Sequence, residues 1–281
     1  MPTPVNSELG NSESGNSERG NAKRVLSDAQ IAYFIDEGFV RLDDAFPRTV
    51  ADEARAILWR DTGCAQDDKA TWTKPVIRLG HYSLPPFIAA ANTPVLHAAF
   101  DELVGEGRWR PCMSVGTFPV RFPSPDDPGD AGWHIDVSFG FDKPDFLDWR
   151  ANVASRGRAL LLLMLFSDVG ENDAPTRIRA GSHREIARML APAGEEGLSL
   201  RELAANGFGE TAHCRELLAT GQAGTVYLCH PFLVHAAQPH HGTRPRFLAQ
   251  PPLLPKEMPD SWGLGASPVE RAIQRALASV A

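Results

Sequence analysis

Apolar positions at helical spacing open the ordered part of this chain. In LSDAQIAYFIDEG, Ser27 and Gln30 stand three apart, and Ile31, Phe34 and Ile35 follow on one face before Gly38. The spacing predicts a helix with a capping box at its head and a glycine stop at its end. Phe39 to Leu42 then reads as a strand. Thr49 opens a second helix, with Val50, Ala54, Ile57 and Leu58 on one side and Gly63 closing it. Thr93-Pro94 is an N-cap followed by proline in the first turn, and that third helix runs to about Gly105.

Beyond Gly105 the pattern shortens. Trp109 to Phe122 reads as strand, 123–132 (PSPDDPGDAG) as loop, and His134 to Gly140 as a short strand. Ala159 to Val169 is an apolar run of the kind buried on both faces. Residues 176–180, Gly224 to Val234 and Phe247 to Leu254 read as further strands, and a helical insertion of about 183–220 interrupts them. Helices first and short strands after predict a mainly β fold with flanking helices. A double-stranded β-helix, or jelly roll, is the natural core for such strands. One domain is expected over 25–281. Residues 1–24 carry the tandem pentads NSELG, NSESG and NSERG, too polar to bury a core, and are expected to be a disordered tail that turnover does not need.

Composition narrows the function classes. A formal net charge of −7 and a pI near 5.7 speak against nucleic acid as the main partner. The longest apolar run, Ala159 to Phe166, is too short to span a bilayer, and the opening residues lack the apolar core of a signal peptide. The four cysteines form neither C-x-x-C nor a zinc-finger spacing. A cytoplasmic protein with reduced thiols and no membrane association is expected; the oligomeric state is not encoded legibly.

The chemistry is concentrated in two segments about a hundred residues apart. In Gly-Trp-His134-Ile-Asp136 the histidine and the carboxylate share one side of a strand, because side chains alternate. An H-x-D pair alone is weak, since a chain with nine histidines meets it readily by chance. The distal segment HPFLVHAAQPHHGTRPRF adds His235 and, eleven residues later, Arg246. Two histidines and a carboxylate on one face of a ferrous ion leave the opposite face open, which is the facial triad of non-heme oxygenases. Arg246 heads an apolar run, where an unpaired guanidinium is costly and needs an anion. The remaining histidines, among them His183 and His230, are expected to be structural or exposed.

These segments resemble the phytanoyl-CoA dioxygenase (PhyH-like) family of Fe(II)/2-oxoglutarate oxygenases. The likeness spans about residues 25–255: the stretch LSDAQIAYFIDEGFVRLDDAF, GWHID, the turn NDAPTRIRAGSH, and GTVYLCHPFLVHAAQPHHGTRPRF. It implies that His134, Asp136 and His235 are the catalytic metal ligands and that Arg246 holds the distal carboxylate of 2-oxoglutarate. It also implies, more loosely, that Arg78 and Thr117 lie along the same cosubstrate. The chain departs from the family at Ala237, where a hydroxyl residue commonly helps the arginine, and at Ala180 of Ala-Gly-Ser-His.

The implied reaction uses Fe(II), 2-oxoglutarate and O2, releases succinate and CO2, and removes a hydrogen from a small-molecule substrate. Asp136 fills the ligand position that related halogenases leave to chloride, so hydroxylation is expected; desaturation, epoxidation and cyclisation use the same ligands. A non-catalytic metal-binding jelly roll and a zinc hydrolase are the alternatives from other classes. The full triad with its arginine argues against the first. The lack of a recognisable general base argues against the second. A secondary-metabolite intermediate fits the family analogy best. The walls expected around it are 123–132, the FGFDKPDFLDW stretch with Phe139, Phe141, Phe146 and Trp149, and the insertion; core packing is the commoner role for such aromatics.

Overall fold

A computed structural model describes residues 24–256 and 266–279. The expected tail of 1–24 lies, apart from Arg24, outside the described residues.

Helix α1 (Asp28–Glu37) has the expected capping box: Ser27 Oγ accepts from the Gln30 N–H, and Gln30 Oε1 accepts from the Ser27 N–H at 2.9 Å. Gly38 ends it with φ +85, and a Cβ there would stand 2.5 Å from His183 Nδ1. Two constraints thus favour glycine, a left-handed backbone and a close neighbour. Strand β1 (Phe39–Leu42) follows at once. Helix α2 (Arg48–Thr62) starts one residue earlier than Thr49, on Pro47, and stops at Gly63. Strand β2 (Val76–Leu79) and helix α3 (Pro85–Ala91) come next, neither marked by a long periodic pattern. Helix α4 (Pro94–Val104) has Thr93 as its cap, and β3 is Phe118–Arg121.

The second half supplies β4 (Arg150–Ala151), β5 (Leu160–Leu165), β6 (Thr176–Arg179), α5 (Ser182–Leu190), β7 (Leu198–Ser199) and α6 (Leu200–Leu203). It ends with β8 (Glu216–Ala219), β9 (Val226–Cys229), β10 (His235–Ala236), β11 (Leu248–Ala249), β12 (Pro252–Leu253) and α7 (Pro268–Ala278). One antiparallel sheet runs β1-β9-β5-β11, with β12 also on β5; a second runs β10-β6-β8.

Strand β5 shows why an unbroken apolar run is needed. Leu160, Leu162 and Met164 join the core under the N-terminal helices, with Phe34, Leu58, Phe87 and Phe100. Leu161, Leu163 and Leu165 join the core shared with the second sheet, with Ile178, Ala219 and Leu233. Both faces of the strand are dry, so alternation disappears.

The described residues form a mixed helix-and-strand structure with open sheets, where a mainly β chain was expected. The strands are shorter than the apolar runs around them. Only Phe118–Arg121 of the Trp109–Phe122 run is strand, and His134–Gly140 contributes isolated bridges at His134 and Phe139. The insertion is helical only in part, for β7 and β8 lie within it and β8 returns to the second sheet. Among the described residues no helix is long and apolar enough to cross a membrane.

Helix α7 packs on α1, α4 and α5, and a buried ion pair with Arg108 clasps it. Glu270, fully buried, receives both Arg108 Nη atoms at 2.8 Å and the Ser267 hydroxyl at 2.6 Å. Burial alone would raise its carboxyl, but Arg108 and Ser267 bring it down to about 2. The unfolded value is about 4.3, so the pair stabilises fully above roughly pH 5 and loses its contribution as pH falls toward 2. Glu270→Gln is expected to cost about 2–3 kcal/mol at neutral pH, read as a lower urea midpoint. The gap from wild type should shrink in acid.

Candidate metal and anion site

Two cross-strand pairs build the site. His134 and His235 are directly opposite each other, each N–H donating to the other's carbonyl at 3.0 Å. Such a hydrogen-bonded pair puts both side chains on one face of the ladder. Asp136, two residues on from His134, faces the same way. The ligating atoms of His134, Asp136 and His235 all lie within 4.8 Å of one another, and His235 Nε2 is 4.0 Å from Asp136 Oδ1. Neighbouring ligands about 2.1 Å from one metal sit roughly 3 Å apart, so modest side-chain rotation closes the set.

The ring tautomers follow from the backbone. His134 Nδ1 is 3.0 Å from the Gly132 carbonyl, and His235 Nδ1 is 3.0 Å from the Leu233 carbonyl. A carbonyl has no proton to give, so each Nδ1 carries the hydrogen and Nε2 is the ring nitrogen left to meet a ligand. His235 Nε2 is buried with no hydrogen-bond partner. Burial and the neighbouring His134 push His235 down, keeping it neutral. Burial works against ionisation of Asp136, yet Arg158, His235 and His134 together hold its carboxyl below the usual range. Two imidazoles and a carboxylate brought together, with an orphaned buried nitrogen among them, fit a divalent cation.

Arg158 was not anticipated from the sequence. Its Nη1 donates to Asp136 Oδ2 at 3.1 Å, leaving Oδ1 on the side of His235. One carboxylate oxygen is therefore held by the guanidinium and the other is presented to the shared point. Orienting contacts of this kind commonly cost 10–100-fold when removed. Arg158→Ala is expected to weaken Mn(II) binding about tenfold by calorimetry, with Arg158→Lys partly restoring it. Tighter binding in the alanine variant would mean that Arg158 acts chiefly as a competing charge.

The second pair is Arg121 and Arg246, bridged in the same way at 3.1 and 2.8 Å. Both are buried, at 2% and 1% exposure. Arg246 donates to the carbonyls of Ala174 and Pro119, and among the described residues no carboxylate pairs with it. Arg121 Nη2 reaches both oxygens of Asp130 at 2.7 Å, and the exposed Arg78 pairs with the same carboxylate. Two guanidiniums thus share one carboxylate, and Arg246 stands beside them with carbonyl partners alone. Arg121 Nε and Nη1 and Arg246 Nε remain buried without partners. Burial and the charge of Arg121 push Arg246 down to about 9, still protonated at neutral pH.

His134, Asp136, Arg121, Arg246 and Arg78 line one cavity of about 500 Å³. Ala237 lines it too, and Thr176 and Gln250 supply polar groups there. Thr117, expected along the cosubstrate, is exposed and is not among the lining residues. Strand β3 begins only at Phe118, and the Thr117 carbonyl is used by the Gln250 N–H. Arg244, two residues before Arg246, is exposed and lines a different cavity beside Arg48 and Trp72. His183 and His230 stand apart from the triad as a buried neutral pair, rings 4.9 Å apart, bonded to the carbonyls of Ile35 and Val269. Burial takes His183 down to about 3 and pushes His230 well below its usual range.

No protein-family model matches the chain, and no curated protein matches it. Solved structures do. HygX from Streptomyces hygroscopicus, solved with nickel, 2-oxoglutarate and hygromycin B, is 18% identical with a TM-score of 0.51, over 80% of this chain and 86% of that one. SnoK, a non-heme alpha ketoglutarate dependent carbocyclase from nogalamycin biosynthesis, is 15% identical with a TM-score of 0.51, over 82% and 84%. EctD from S. alaskensis, solved with 2-oxoglutarate and 5-hydroxyectoine, is 20% identical with a TM-score of 0.54, over 85% and 78%. The likeness is one of fold. At such identities it extends to the course of the chain, and the ligands of HygX and EctD are properties of those proteins.

Proposed function

We propose that this protein is a non-heme Fe(II)/2-oxoglutarate-dependent oxygenase with a jelly-roll core of the PhyH-like kind, acting on a small organic molecule and using O2. The observation that carries the proposal is the pairing of a His134–Asp136–His235 cluster, with its bare Nε2 atoms, and a cavity whose buried Arg246 has no carboxylate partner among the described residues. The fold shared with HygX and EctD, whose structures hold 2-oxoglutarate, supports it.

In this reading His134 Nε2, Asp136 Oδ1 and His235 Nε2 hold ferrous iron, which when bound supplies the O2 chemistry. Arg246 takes the distal carboxylate of 2-oxoglutarate, and Arg121 adds a second cation to the same recess. Bidentate guanidinium contact fixes the cosubstrate's direction as well as its charge. Thr176 and Gln250 are candidates for the hydrogen bond that Ala237 does not offer. Arg158 keeps Asp136 from turning both oxygens toward the iron. Hydroxylation is the proposed outcome, because Asp136 occupies the position that chloride would need.

Binding tests the proposal without a known substrate. In anaerobic calorimetry, 2-oxoglutarate should bind with useful affinity only after Mn(II) has been added. Equal binding with and without metal would separate the anion recess from the metal cluster and defeat the proposal.

A further inference from the structure

Register puts three arginines on one face of a short ladder. Arg78 of β2 stands opposite Pro119 of β3, Arg121 is two residues further along β3, and Arg246 is bridged to Arg121. Side chains alternate along a strand, so all three emerge on the same side. All three line the cavity of about 500 Å³. Like charges on neighbouring ladder positions repel one another, a cost that anions offset.

The anions fall short of the cations. Asp130 accepts from Arg121 Nη2 with both oxygens at 2.7 Å and also pairs with Arg78. Asp136, the other carboxylate of the lining, is held by Arg158. In the oxygenase reading the distal carboxylate of 2-oxoglutarate brings one charge, to Arg246. Three guanidiniums then meet two anions, and one positive charge is left over. Arg177 deepens the imbalance. It stacks 4.5 Å from the ring of the cavity-lining Trp133, donates to the Ala131 carbonyl, and pairs with no carboxylate among the described residues.

Burial decides which arginine can take a ligand. Arg121 is 2% exposed and would be stranded without Asp130, so it has the stronger hold on that carboxylate. The Arg78 side chain is 60% exposed, and its share of Asp130 is a solvated ion pair that exchanges at little cost. Elsewhere the lining offers an apolar wall of Phe146, Leu147, Leu200 and Ala204.

We propose that the substrate is a monoanion, an apolar body carrying one carboxylate or sulfonate, and that Arg78 takes its charged group. This assignment rests on the oxygenase reading for the place of 2-oxoglutarate. It gives Arg78 to the substrate rather than to the cosubstrate. It also disfavours polycations, because both carboxylates of the lining are already engaged by arginines.

Three probes sharing one skeleton test it on the full-length protein: 4-phenylbutyrate, 4-phenylbutanamide and 4-phenylbutylamine, which are negative, neutral and positive at neutral pH. With Mn(II) bound and 2-oxoglutarate saturating, broadening of the probe's proton signals by the paramagnetic ion reports binding beside the metal. The acid should bind at least about fivefold more tightly than the amide, and the amine more weakly than either. Arg78→Gln should remove the preference for acid over amide, and Arg78→Lys should keep part of it. Both variants should hold 2-oxoglutarate within about threefold of wild type by calorimetry, since Arg246 is untouched. Arg244→Gln, at an exposed arginine lining another cavity, should change neither reading. Failure of the acid to outbind the amide, whether both bind or neither does, would overturn the proposal. So would an acid preference that survives Arg78→Gln, or a loss of 2-oxoglutarate affinity in that variant, which would return Arg78 to the cosubstrate. Failure of 2-oxoglutarate to bind wild-type protein after Mn(II) would instead sink the oxygenase reading, whichever probes bind.

Discussion

His235→Ala is expected to abolish iron-dependent turnover and to weaken Mn(II) binding by about 100-fold or more. His235 is 1% exposed, and its Nε2 has no partner to lose in the protein. Its backbone remains paired with His134 and with Ile178 of β6, so the strand should survive the change. The folding cost should be limited to the Leu233 hydrogen bond and the packing of one ring, roughly 1–3 kcal/mol. A variant with a near-native thermal transition and no metal affinity would therefore assign the loss to ligation. Asp136→Asn is the better companion than Asp136→Ala. It removes the ligand charge while leaving Arg158 an oxygen to contact, whereas alanine strands a guanidinium that is only 12% exposed.

The second large effect is expected at Arg246. Arg246→Ala should raise the apparent KM for 2-oxoglutarate by one to three orders of magnitude, given about 2–4 kcal/mol for a buried charge-assisted pair. The fold should tolerate the change. Its guanidinium pairs with no carboxylate among the described residues and lies beside Arg121, so removing it relieves a like-charge contact. Arg246→Lys should recover only part of the affinity, because an ammonium cannot form the two-pronged contact. Arg244→Ala should change KM little, since that side chain is exposed and lines another cavity. A larger effect at Arg244 than at Arg246 would place the cosubstrate elsewhere.

Much of the site was legible because it rests on local rules. Strand alternation placed His134 with Asp136, and the capping box and Gly38 bounded α1 before any contact was known. The arginines show where such reading stops. Arg246 stands out in the sequence because it heads the apolar run Phe247-Leu248, eleven residues after His235. Arg158 heads Ala159 to Phe166 in the same manner, and Arg121 sits between Val120 and Phe122, yet neither stands in a motif of its own. The signal was present. Its meaning depends on a partner across the chain, Asp136 for one and the Arg246 bridge for the other, and cross-strand register is a tertiary fact. Helix α7 was missed in a similar way: Ser267-Pro-Val-Glu270 is a capping box like that of α1, but its stability comes from Arg108, far earlier in the chain. Thr117 fails for the opposite reason. Proximity in sequence to a pocket-lining strand does not settle on which side a residue just before the strand emerges.

The aromatic residues near the site divide. Trp149 packs with the core that contains Ile135 and Leu203, while Phe146 lines the cavity and Phe141 is 60% exposed. Neither a wholly structural nor a wholly ligand-facing role fits the stretch. Leu147 lines the cavity beside Phe146, and Phe141 is not among the lining residues.

The most direct test of the central claim needs no substrate. Full-length protein, reconstituted anaerobically with Fe(II) and 2-oxoglutarate and then exposed to O2, should form succinate slowly by uncoupled turnover. Succinate should require all three components and should vanish in His235→Ala. A well-folded sample that binds Fe(II) but yields no succinate above the His235→Ala background would contradict the account, and would leave a metal-binding protein without this chemistry.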